Sequence, residues 1–528
     1  MSEKRSIVVA GGGTAGWLTA CYLARVLGTR FPGGPAITVV DSPDIGIIGV
    51  GEGTFPTIRA TLTALGIDEA RFLRESSATF KQGIRFDDWA RSPRDGHHSH
   101  YFHPFEFPHR VDGTELLPFW LLGDAGPGIG LADAVTIQKT VADASLAPKR
   151  VHDANYGAVL NYAYHFDAFR FAALLAAVAK EYGVRHVADT IERVDLDESG
   201  AIAGVVTRGN GTLRGDLYID CTGLRAKLIG EALRVPFTSC GESLLTDRAV
   251  TCQVPNDKPG SPIASYTIAT AHEAGWTWDI GLNDRRGIGY VYSSVHSTDD
   301  RAESVLRAYI GADAEEKPVR FLKFDAGYRE RQWVRNCVAV GLSAGFFEPL
   351  ESTGIMLIEV AAAMIADFFP WSGDLEAPGR RFNDLMRNRC RNIVNFLKMH
   401  YCLSGRTEEF WRDNRRPESI PEALKSLLSE WRHRPPCRLD FVADHETFPH
   451  FSYQYVLYGM GFQTNFEAAR SRYGASHSAQ AAFKQIRRFA QQAARDLPAH
   501  RTLIEQIYRE GFRSKPSPAS VSNAGRNH

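Results

Sequence analysis

A carboxylate, two hydroxyls and a glycine stand directly before an apolar segment in residues 348–360, EPLESTGIMLIEV. Residues 354–369 are predicted to form a helix that is apolar on every side and therefore buried. The N–H groups at a helix start have no acceptor within the helix, and they attract anions. Ser352 or Thr353 is expected to cap one of them, which contributes about 1 kcal/mol. The other N–H groups could hold a small anion, although on these residues alone an ordinary helix cap is the simpler interpretation.

Three glycines near the start of the chain have the spacing of a dinucleotide-binding turn. Gly11, Gly13 and Gly16 form GxGxxG between a predicted strand at 6–10 and a predicted helix at 17–27. The first glycine permits a tight turn, and the second lets a pyrophosphate approach the helix start. Asp41 follows the next strand, 36–40, where an acid can accept a ribose hydroxyl. This βαβ context favours a dinucleotide site over a glycine-rich turn without a ligand.

The dinucleotide could be a nicotinamide cofactor or FAD. A second strand and turn at 338–345, VAVGLSAG, and a strand that ends in residues 220–223, DCTG, favour FAD. Both could close over a large planar cofactor. The loop at 44–53, DIGIIGVGEG, adds glycines that let the backbone approach a ligand closely.

Composition excludes several classes of function. Lys and Arg number 61, and so do Asp and Glu, so no bulk charge attracts nucleic acid or an anionic membrane. No uninterrupted run of 18 apolar residues predicts a membrane span, and the start of the chain does not resemble a signal peptide. The eight cysteines are scattered singly, which predicts reduced thiols in a cytoplasmic protein and no structural zinc site.

The remaining patterns predict a mixed α/β fold for the 528 residues, 44% of which are hydrophobic. Helices are predicted at 57–75 and 166–182, and the region 247–295 alternates as strands do. Further strands are predicted at 79–89, 184–188, 202–207, 217–220 and 338–340. Residues 91–155 are predicted to be strands and long loops. The pattern is helical from about 378, and the tail at 514–528 is predicted to be disordered.

Two side-chain clusters have both a structural and a functional interpretation. Trp276, Trp278 and Ile280 share one face of a strand, where they either pack in the core or wall off a ligand. The other cluster consists of five histidines, His97, His98, His100, His103 and His109. Because no acid or cysteine spacing completes a familiar metal site, a polar loop near a substrate entrance is favoured over a metal.

Six motifs occur in series over residues 7 to about 370: GGGTAGW, VVDSPDIGIIGVGEG, TFKQGIRFDDW, YAYHFDAFR, GWTWDI and FFEPLESTGI. Together they resemble the flavin-dependent halogenases of the tryptophan-halogenase type. The resemblance implies a flavin-monooxygenase-like FAD-binding fold with a substrate β-sheet and a C-terminal helical subdomain. It also implies halogenation of an electron-rich, indole- or tryptophan-like ring with reduced FAD, oxygen and chloride or bromide.

The resemblance also implies residue roles. Lys81 would hold hypohalous acid or be halogenated by it, and Glu351 would polarise the electrophile or accept the ring proton. Thr353 and Gly354 would seat the halide. The residues implied to line the substrate are His103, Phe105, Trp276 and Trp278. Those implied to bind FAD are Gly11, Gly13, Thr14, Ala15, Gly16, Asp41, Gly49, Val50, Gly51, Glu52 and Leu342.

Two positions depart from the family pattern. Gly281 stands where the family's WxWxIP signature has proline, which leaves the end of that strand less rigid. Ser343 stands where related flavoproteins often carry an acid or Asn, so flavin ribityl contacts are not carried over to that turn. These departures keep two alternatives open, an FAD-dependent aromatic hydroxylase and a non-catalytic flavin-binding relative.

The expected organisation is an FAD-binding module at 1–375, a helical subdomain at 376–513 that covers the substrate site, and the tail. The expected partners are a small aromatic substrate and a separate NAD(P)H-dependent flavin reductase, because the chain has one dinucleotide fingerprint. Association as a homodimer is a further expectation.

Overall fold

A computed structural model describes residues 5–44, 46, 49, 51–111, 113–256, 260–314, 316–443, 447–474 and 476–512. The predicted cofactor contact Val50 and the predicted disordered tail lie outside these residues. Within them, no helix is both long enough and apolar enough to cross a membrane.

The dinucleotide half is built on a six-stranded sheet. Its strands, in spatial order, are Arg185–Ala188, Ala36–Asp41, Ser6–Ala10, Leu217–Asp220, Cys337–Ala339 and Trp333–Val334. The first five run parallel. Their carboxyl ends therefore meet at one edge, which is where such sheets bind ligands.

Both faces of this sheet are covered, as expected for parallel strands made of continuous apolar runs. The helices Thr14–Val26, Ala168–Glu181 and Thr353–Asp367 share a core with one face. On the other face, Val8 and Val40 pack with Val205 and Leu213. The latter two belong to a small antiparallel sheet of Ile191–Leu196, Ile202–Thr207 and Gly211–Leu213.

A second large sheet has seven strands. In spatial order they are Val319–Lys323, Arg248–Pro255, Arg285–Tyr292, Gly275–Gly281, Thr267–His272, Gly83–Asp87 and His100–Pro104. The alternating pattern at 247–295 thus predicted these strands correctly. The short strands are Glu52–Gly53, Ala163–Phe166 and Thr79–Lys81 in one sheet, Thr238–Ser239, Gly327–Tyr328 and Gly345–Phe346 in another, and the pair Arg110–Val111 and Thr114–Glu115.

The single strand predicted at 79–89 is wrong. Gln82 lies between the strands Thr79–Lys81 and Gly83–Asp87 and belongs to neither. Its side chain donates to Ser265 Oγ and to the carbonyl oxygen of Leu146. Gly83 has φ +157°, and a Cβ there would lie 2.4 Å from the carbonyl oxygen of His103. The chain therefore passes from the three-stranded sheet to the seven-stranded sheet immediately after Lys81.

Two other predicted elements also differ. The helix predicted at 57–75 is two helices, Ile58–Ala64 and Glu69–Glu75, since Gly66 turns with φ +67° and Asp68 caps the second helix. The region 91–155 contains three short helices that periodicity missed, Leu117–Leu121, Leu131–Val135 and Gln138–Asp143.

The helical pattern predicted from about 378 is confirmed. The helices there are Glu376–Cys402, Glu409–Asp413, Glu422–Trp431, His450–Gly459, Ser476–Asp496 and His500–Glu510, and Asp299–Ile310 lies earlier in the chain. The long helix joins the two halves, because Phe382 packs with the dinucleotide sheet and Phe396 with the second core. The domain boundary near 375 remains a prediction.

A buried polar cluster ties the helix Glu69–Glu75 to the three-stranded sheet. Lys149 Nζ lies 2.7 Å from Glu69 Oε2, and neither side chain is exposed to solvent. The hydroxyls of Tyr162 and Tyr164 donate to the other oxygen of Glu69 at 2.6 and 2.7 Å. Every oxygen of this carboxylate is thus satisfied away from water, which is the condition under which a buried ion pair is tolerated.

We expect Lys149→Met to lower the free energy of unfolding by about 3–5 kcal/mol, because it leaves the Glu69 charge buried and unpaired. Urea denaturation followed by tryptophan fluorescence measures this. Arg225→Met is the control, since its partner Glu231 is exposed and such pairs contribute about 0–1 kcal/mol. Equal losses in the two variants would contradict the assignment.

Candidate active site

The three glycines of the first turn have different surroundings, each matching a different role. Gly11 has φ +107°, and a Cβ there would lie 2.2 Å from the carbonyl oxygen of Cys221. A Cβ on Gly16 would lie 1.8 Å from the carbonyl oxygen of Gly11, whereas one on Gly13 would meet no atom within 4 Å. Gly11 and Gly16 therefore allow the turn to pack, and Gly13 faces open space at the start of the helix.

Several predicted cofactor contacts meet at the same edge of the sheet. Asp41 accepts a hydrogen bond from the N–H of Gly12 at 3.2 Å. Leu342 lies in the turn Gly341–Ser343, and a Cβ on Gly341 would come within 2.7 Å of the Ala15 side chain. The second strand and turn therefore packs directly on the glycine turn.

Ser343 does not face this edge. Its hydroxyl is buried and donates to the carbonyl oxygens of Val340, at 3.1 Å, and Asp220. The departure at this position therefore serves the packing of the turn.

The glycine-rich loop lies against the same helices. A Cβ on Gly49 would come within 2.7 Å of the Ala168 side chain, and the Thr14 hydroxyl donates to the carbonyl oxygen of Ala168 at 3.3 Å. Gly51 has φ +123° and approaches Ile280 of the seven-stranded sheet. Burial raises the pKa of Glu52, which follows in the strand Glu52–Gly53, to about 7. The loop thus connects the six-stranded dinucleotide sheet and the seven-stranded sheet.

Lys81 is fully buried, at the point where the chain passes from the three-stranded sheet to the seven-stranded sheet. Its ammonium nitrogen donates to Ser352 Oγ at 2.8 Å and lies 5.4 Å from the centroid of the Phe105 ring. The same nitrogen lies close to Gly53, since a Cβ built on that glycine would be 3.1 Å from the nitrogen. Burial lowers the pKa of Lys81 to about 7, against the opposing attraction of Glu351. The lowered pKa brings the neutral form of the amine within reach at neutral pH.

The helix start at residue 353 is not capped by a side chain, so the predicted Ser352 or Thr353 cap is wrong. Ser352 is left-handed, with φ 58°, and its hydroxyl accepts from Lys81 instead. Thr353 and Ile355 are buried, but Gly354 between them is exposed, and a Cβ on it would meet no atom within 4 Å. Open space therefore reaches the first turn of a buried helix.

Glu351 lies between two histidines. His103 Nδ1 is 3.1 Å from both carboxylate oxygens, and His400 Nε2 is 3.0 Å from Oε1. Burial acts to raise the pKa of Glu351, but the charges and hydrogen bonds of the two imidazoles outweigh it and lower the pKa to about 2. Glu351 is therefore ionised at neutral pH although it is fully buried.

Sequence reasoning missed His400. The signal in the sequence was a single histidine in the mostly apolar segment 393–401 of a helix. A histidine in such a segment is more often a core residue than a functional one. Its other ring nitrogen, Nδ1, donates to the carbonyl oxygen of Phe396 at 2.9 Å, and this contact fixes the ring toward Glu351.

A second buried acid anchors the turn that carries Glu351. Glu348 accepts from the hydroxyl of Tyr401 at 2.6 Å and from that of Thr246. Burial raises the pKa of Glu348, which is the opposite of the shift at Glu351. The two acids are three residues apart, and their environments shift their pKa values in opposite directions.

The paired tryptophans form part of a buried wall. Trp276 and Trp278 are 0% and 5% exposed, with ring centroids 6.2 Å apart. Among the described residues, the buried indole N–H of Trp278 has no hydrogen-bond partner. The strand continues through Gly281 in full register, and a Cβ there would lie 2.7 Å from the Ile263 side chain. The glycine therefore lets this strand end pack closely on Ile263, and the lower rigidity expected there stays a prediction.

An aromatic box lies beside His103. Phe396 and Phe448 stack with centroids 3.9 Å apart, and Phe55 contacts both Phe448 and Phe105 edge to face. Tyr455 lies 6.2 Å from the His103 ring. The box joins the predicted wall residues His103 and Phe105 to rings from the C-terminal helices.

The other four histidines of the cluster do not converge on this site. His98 pairs with Asp88 at 2.7 Å, and His97, His100 and His109 are exposed. Across the described part of the chain, no group of three or more His, Cys, Asp or Glu side chains is arranged to hold a metal.

Comparison with known proteins decides the family. The family model "Tryptophan halogenase" matches residues 6–472. The chain belongs to the tryptophan halogenase family. It is 36% identical to the tryptophan 6-halogenase SttH of Streptomyces toxytricini over 86% of this chain and 89% of that protein.

Solved structures of the family share the fold. A tryptophan halogenase from Shewanella frigidimarina is 39% identical, with a TM-score of 0.92 over 97% of this chain and 99% of that one. The flavin-dependent halogenase BrvH from Brevundimonas is 32% identical, with a TM-score of 0.83 over 95% of this chain and 99% of that one. The predicted mixed α/β, FAD-binding fold and the assignment as a flavin-dependent halogenase are confirmed, in preference to a hydroxylase or a non-catalytic relative.

The opposite shifts at Glu351 and Glu348 give opposite effects of acid on stability. The pKa of Glu351 is depressed from 4.5 to about 2. The contribution of this carboxylate to the stability of the fold is therefore present above pH 4.5 and is lost as the pH falls toward 2. We expect the melting temperature of Glu351→Gln to fall less steeply than that of the wild type between pH 5 and pH 3.

Glu348→Gln is the matched control. Its raised pKa makes the wild-type side chain more favourable as the pH falls toward 4.5, so above pH 4.5 this variant should lose melting temperature more steeply than the wild type. Differential scanning fluorimetry on both sides of pH 4.5 measures both slopes, and equal slopes for the two variants would refute the assigned pKa shifts.

Proposed function

We propose that the protein halogenates an electron-rich, indole-like aromatic ring with chloride or bromide, using reduced FAD and oxygen. The observation that carries this is the fully buried amine of Lys81, which is hydrogen-bonded to Ser352, the residue after the ionised Glu351. Relatives whose names specify tryptophan as the substrate support an indole ring.

The residues fit FAD. Gly13 faces open space at a helix start, and Asp41 lies beside the glycine turn. Leu342 lies in the turn that packs on Ala15, and Thr14 and Gly49 lie against Ala168. Gly51 and Glu52 follow in the same loop as Gly49. These residues would hold the cofactor, with the pyrophosphate at the start of the helix Thr14–Val26. When bound, reduced FAD would give oxygen two of the four electrons that it accepts, and oxygen would take the other two from the halide, which yields oxidised FAD, hypohalous acid and water.

The halide would lie at Thr353 and Gly354. The first turn of their helix has no side-chain cap, so its N–H groups and the helix dipole can hold an anion. The open space at Gly354 gives the ion room beside the cofactor.

Lys81 receives the halogen. Its neutral amine attacks the halogen of hypohalous acid, so an N–halogen bond forms, the O–halogen bond breaks, and the departing hydroxide takes an amine proton to leave as water. A lowered pKa favours this reaction because only the neutral amine is nucleophilic. Phe105 and Ser352 fix the direction of the amine.

The ring then takes the halogen from the nitrogen of Lys81. Its carbon–halogen bond forms as the N–halogen bond breaks, and the displaced ring proton passes to Glu351 and returns to the amine nitrogen. Glu351 suits this role because it is ionised, and His103 and His400 hold its oxygens in place. Trp276 and Trp278 form the buried wall that keeps water from the reactive halogen.

The proposed partners follow from this chemistry. The chain has one dinucleotide turn, so a separate NAD(P)H-dependent flavin reductase would supply reduced FAD. The eight cysteines, scattered singly along the chain, fit a cytoplasmic location, and a homodimer remains a proposal.

The direct test is incubation with reduced FAD, oxygen, bromide or chloride, and a panel of indoles and phenols, with mass spectrometry of the products. Halide-dependent halogenation is expected. Oxygen insertion without halide, or no halogenated product from any ring, would overturn the proposal.

The pH profile tests the role of Lys81. We expect the yield of product per flavin oxidised to rise as the pH passes through about 7, where the amine loses its proton, and to level off above it. Lys81→Ala should give no product at any pH while flavin oxidation continues. A yield that falls through pH 7 would show that the ammonium form is the one required.

Two glycine variants separate cofactor binding from folding. Gly13→Ala adds a methyl group where only a ligand would meet it, so we expect at least about tenfold weaker FAD binding with an unchanged melting temperature. Gly16→Ala should lower the melting temperature, because its Cβ would overlap the carbonyl oxygen of Gly11. Flavin fluorescence titration and thermal melts measure both, and wild-type FAD affinity in Gly13→Ala would contradict the assignment.

A further inference from the structure

A pocket of about 470 Å³ opens on the surface behind the aromatic box. Its walls include Phe107 and Arg110, just past the strand that carries His103, and Arg438, Phe441 and Phe451. The volume is within the range of small-molecule sites. None of these residues is used by the reaction proposed above.

The pocket and the aromatic box share one segment of chain. Phe448 stacks inside the box, while the next three residues, 449–451, line the pocket. Phe451 contacts Phe107 at 4.7 Å and Tyr455 at 6.4 Å between centroids, and Tyr455 in turn lies beside His103. The ring of Tyr455 thus lies between the pocket and His103.

The charges at the pocket are unequal. Glu115 accepts from Arg110 and pairs with His450, each at 2.9 Å, so its charge is already met. Arg438 is exposed and forms no ion pair within the described part of the chain. A positive charge is therefore available to an incoming anion.

The rim of the pocket is apolar and exposed. Phe107 is 66% exposed, and Leu439 and Val442, next to Arg438 and Phe441, are 80% and 70% exposed. Single exposed apolar residues are ordinary, but several around one pocket mark a contact surface. Apolar walls with one free guanidinium suit a ligand that is apolar along its length and carries a carboxylate.

We propose that this pocket, through Arg438 and the Phe107–Phe451 wall, binds the end of the aromatic substrate remote from the reacting ring, as an apolar extension bearing a carboxylate. This inference rests on the proposed halogenase function. With the ring beside His103, a substituent that reaches the pocket must extend past Tyr455, whose ring centroid lies 6.2 Å from that of His103 and 6.4 Å from that of Phe451. The substrate class is therefore an indole-like ring on a longer, anionic apolar body.

The test uses the full-length enzyme with indole, tryptophan, and indole-3-alkanoic acids of increasing chain length together with their primary amides. The KM should fall as the chain lengthens, and each long acid should have a lower KM than its amide. Halogenation of indole shows that the proposed function holds, whatever the series shows.

Arg438→Ala should raise the KM of the longest acid by about tenfold, the effect of losing a hydrogen bond to a charged group. It should leave indole and the long amide unchanged. Arg432→Ala is the matched control, an exposed arginine nearby in the chain that does not line the pocket. Phe107→Ser should raise the KM of the acid and the amide alike.

The inference is overturned if indole is halogenated while acids and amides of every length have the same KM. It is equally overturned if Arg438→Ala and Arg432→Ala behave alike. Absence of product from every compound, indole included, would instead count against the proposed function.

Discussion

The burial of one amine is the constraint on which the site depends. Burial away from water lowers the pKa of a lysine. A carboxylate in direct contact with the amine would raise that pKa again. Lys81 and Glu351, both among the residues that the structure describes, form no ion pair with each other. The amine instead contacts the neutral hydroxyl of Ser352, while His103 and His400 satisfy Glu351. Separate partners keep a negative charge nearby without fixing the lysine proton.

This separation requires parts from distant places in the chain. The Lys81 strand, the turn at 349–351 and the long helix 376–402 each contribute one member, and Glu348 anchors the turn through Tyr401 of that helix. The buried cluster around Glu69 and Lys149 secures the three-stranded sheet that carries Lys81. The polar groups of the site are therefore held by other buried polar groups.

The sequence predicted the parts of the fold that local chemistry determines. The glycine turn, the alternating strands at 247–295 and the apolar helix after Gly354 follow from short-range patterns. The break after Lys81 did not, because it depends on contacts of Gln82 and Gly83 with distant backbone. The expected cap at Ser352 failed for the same reason, since its hydroxyl is taken by a lysine 271 positions away. His400 and the ring pair Phe396–Phe448 likewise acquire their roles only through tertiary packing.

The passage of the chain between two sheets at Lys81 has a consequence for protein engineering. A one-residue insertion or deletion in the strand Gly83–Asp87 would turn alternate side chains to the opposite face, and the displacement would reach the amine two residues upstream. The strand Val319–Lys323, at the far edge of the same sheet and without a fully buried residue, has no such link to the amine. Directed evolution for new substrates should therefore tolerate insertions at that far edge and reject them beside Lys81.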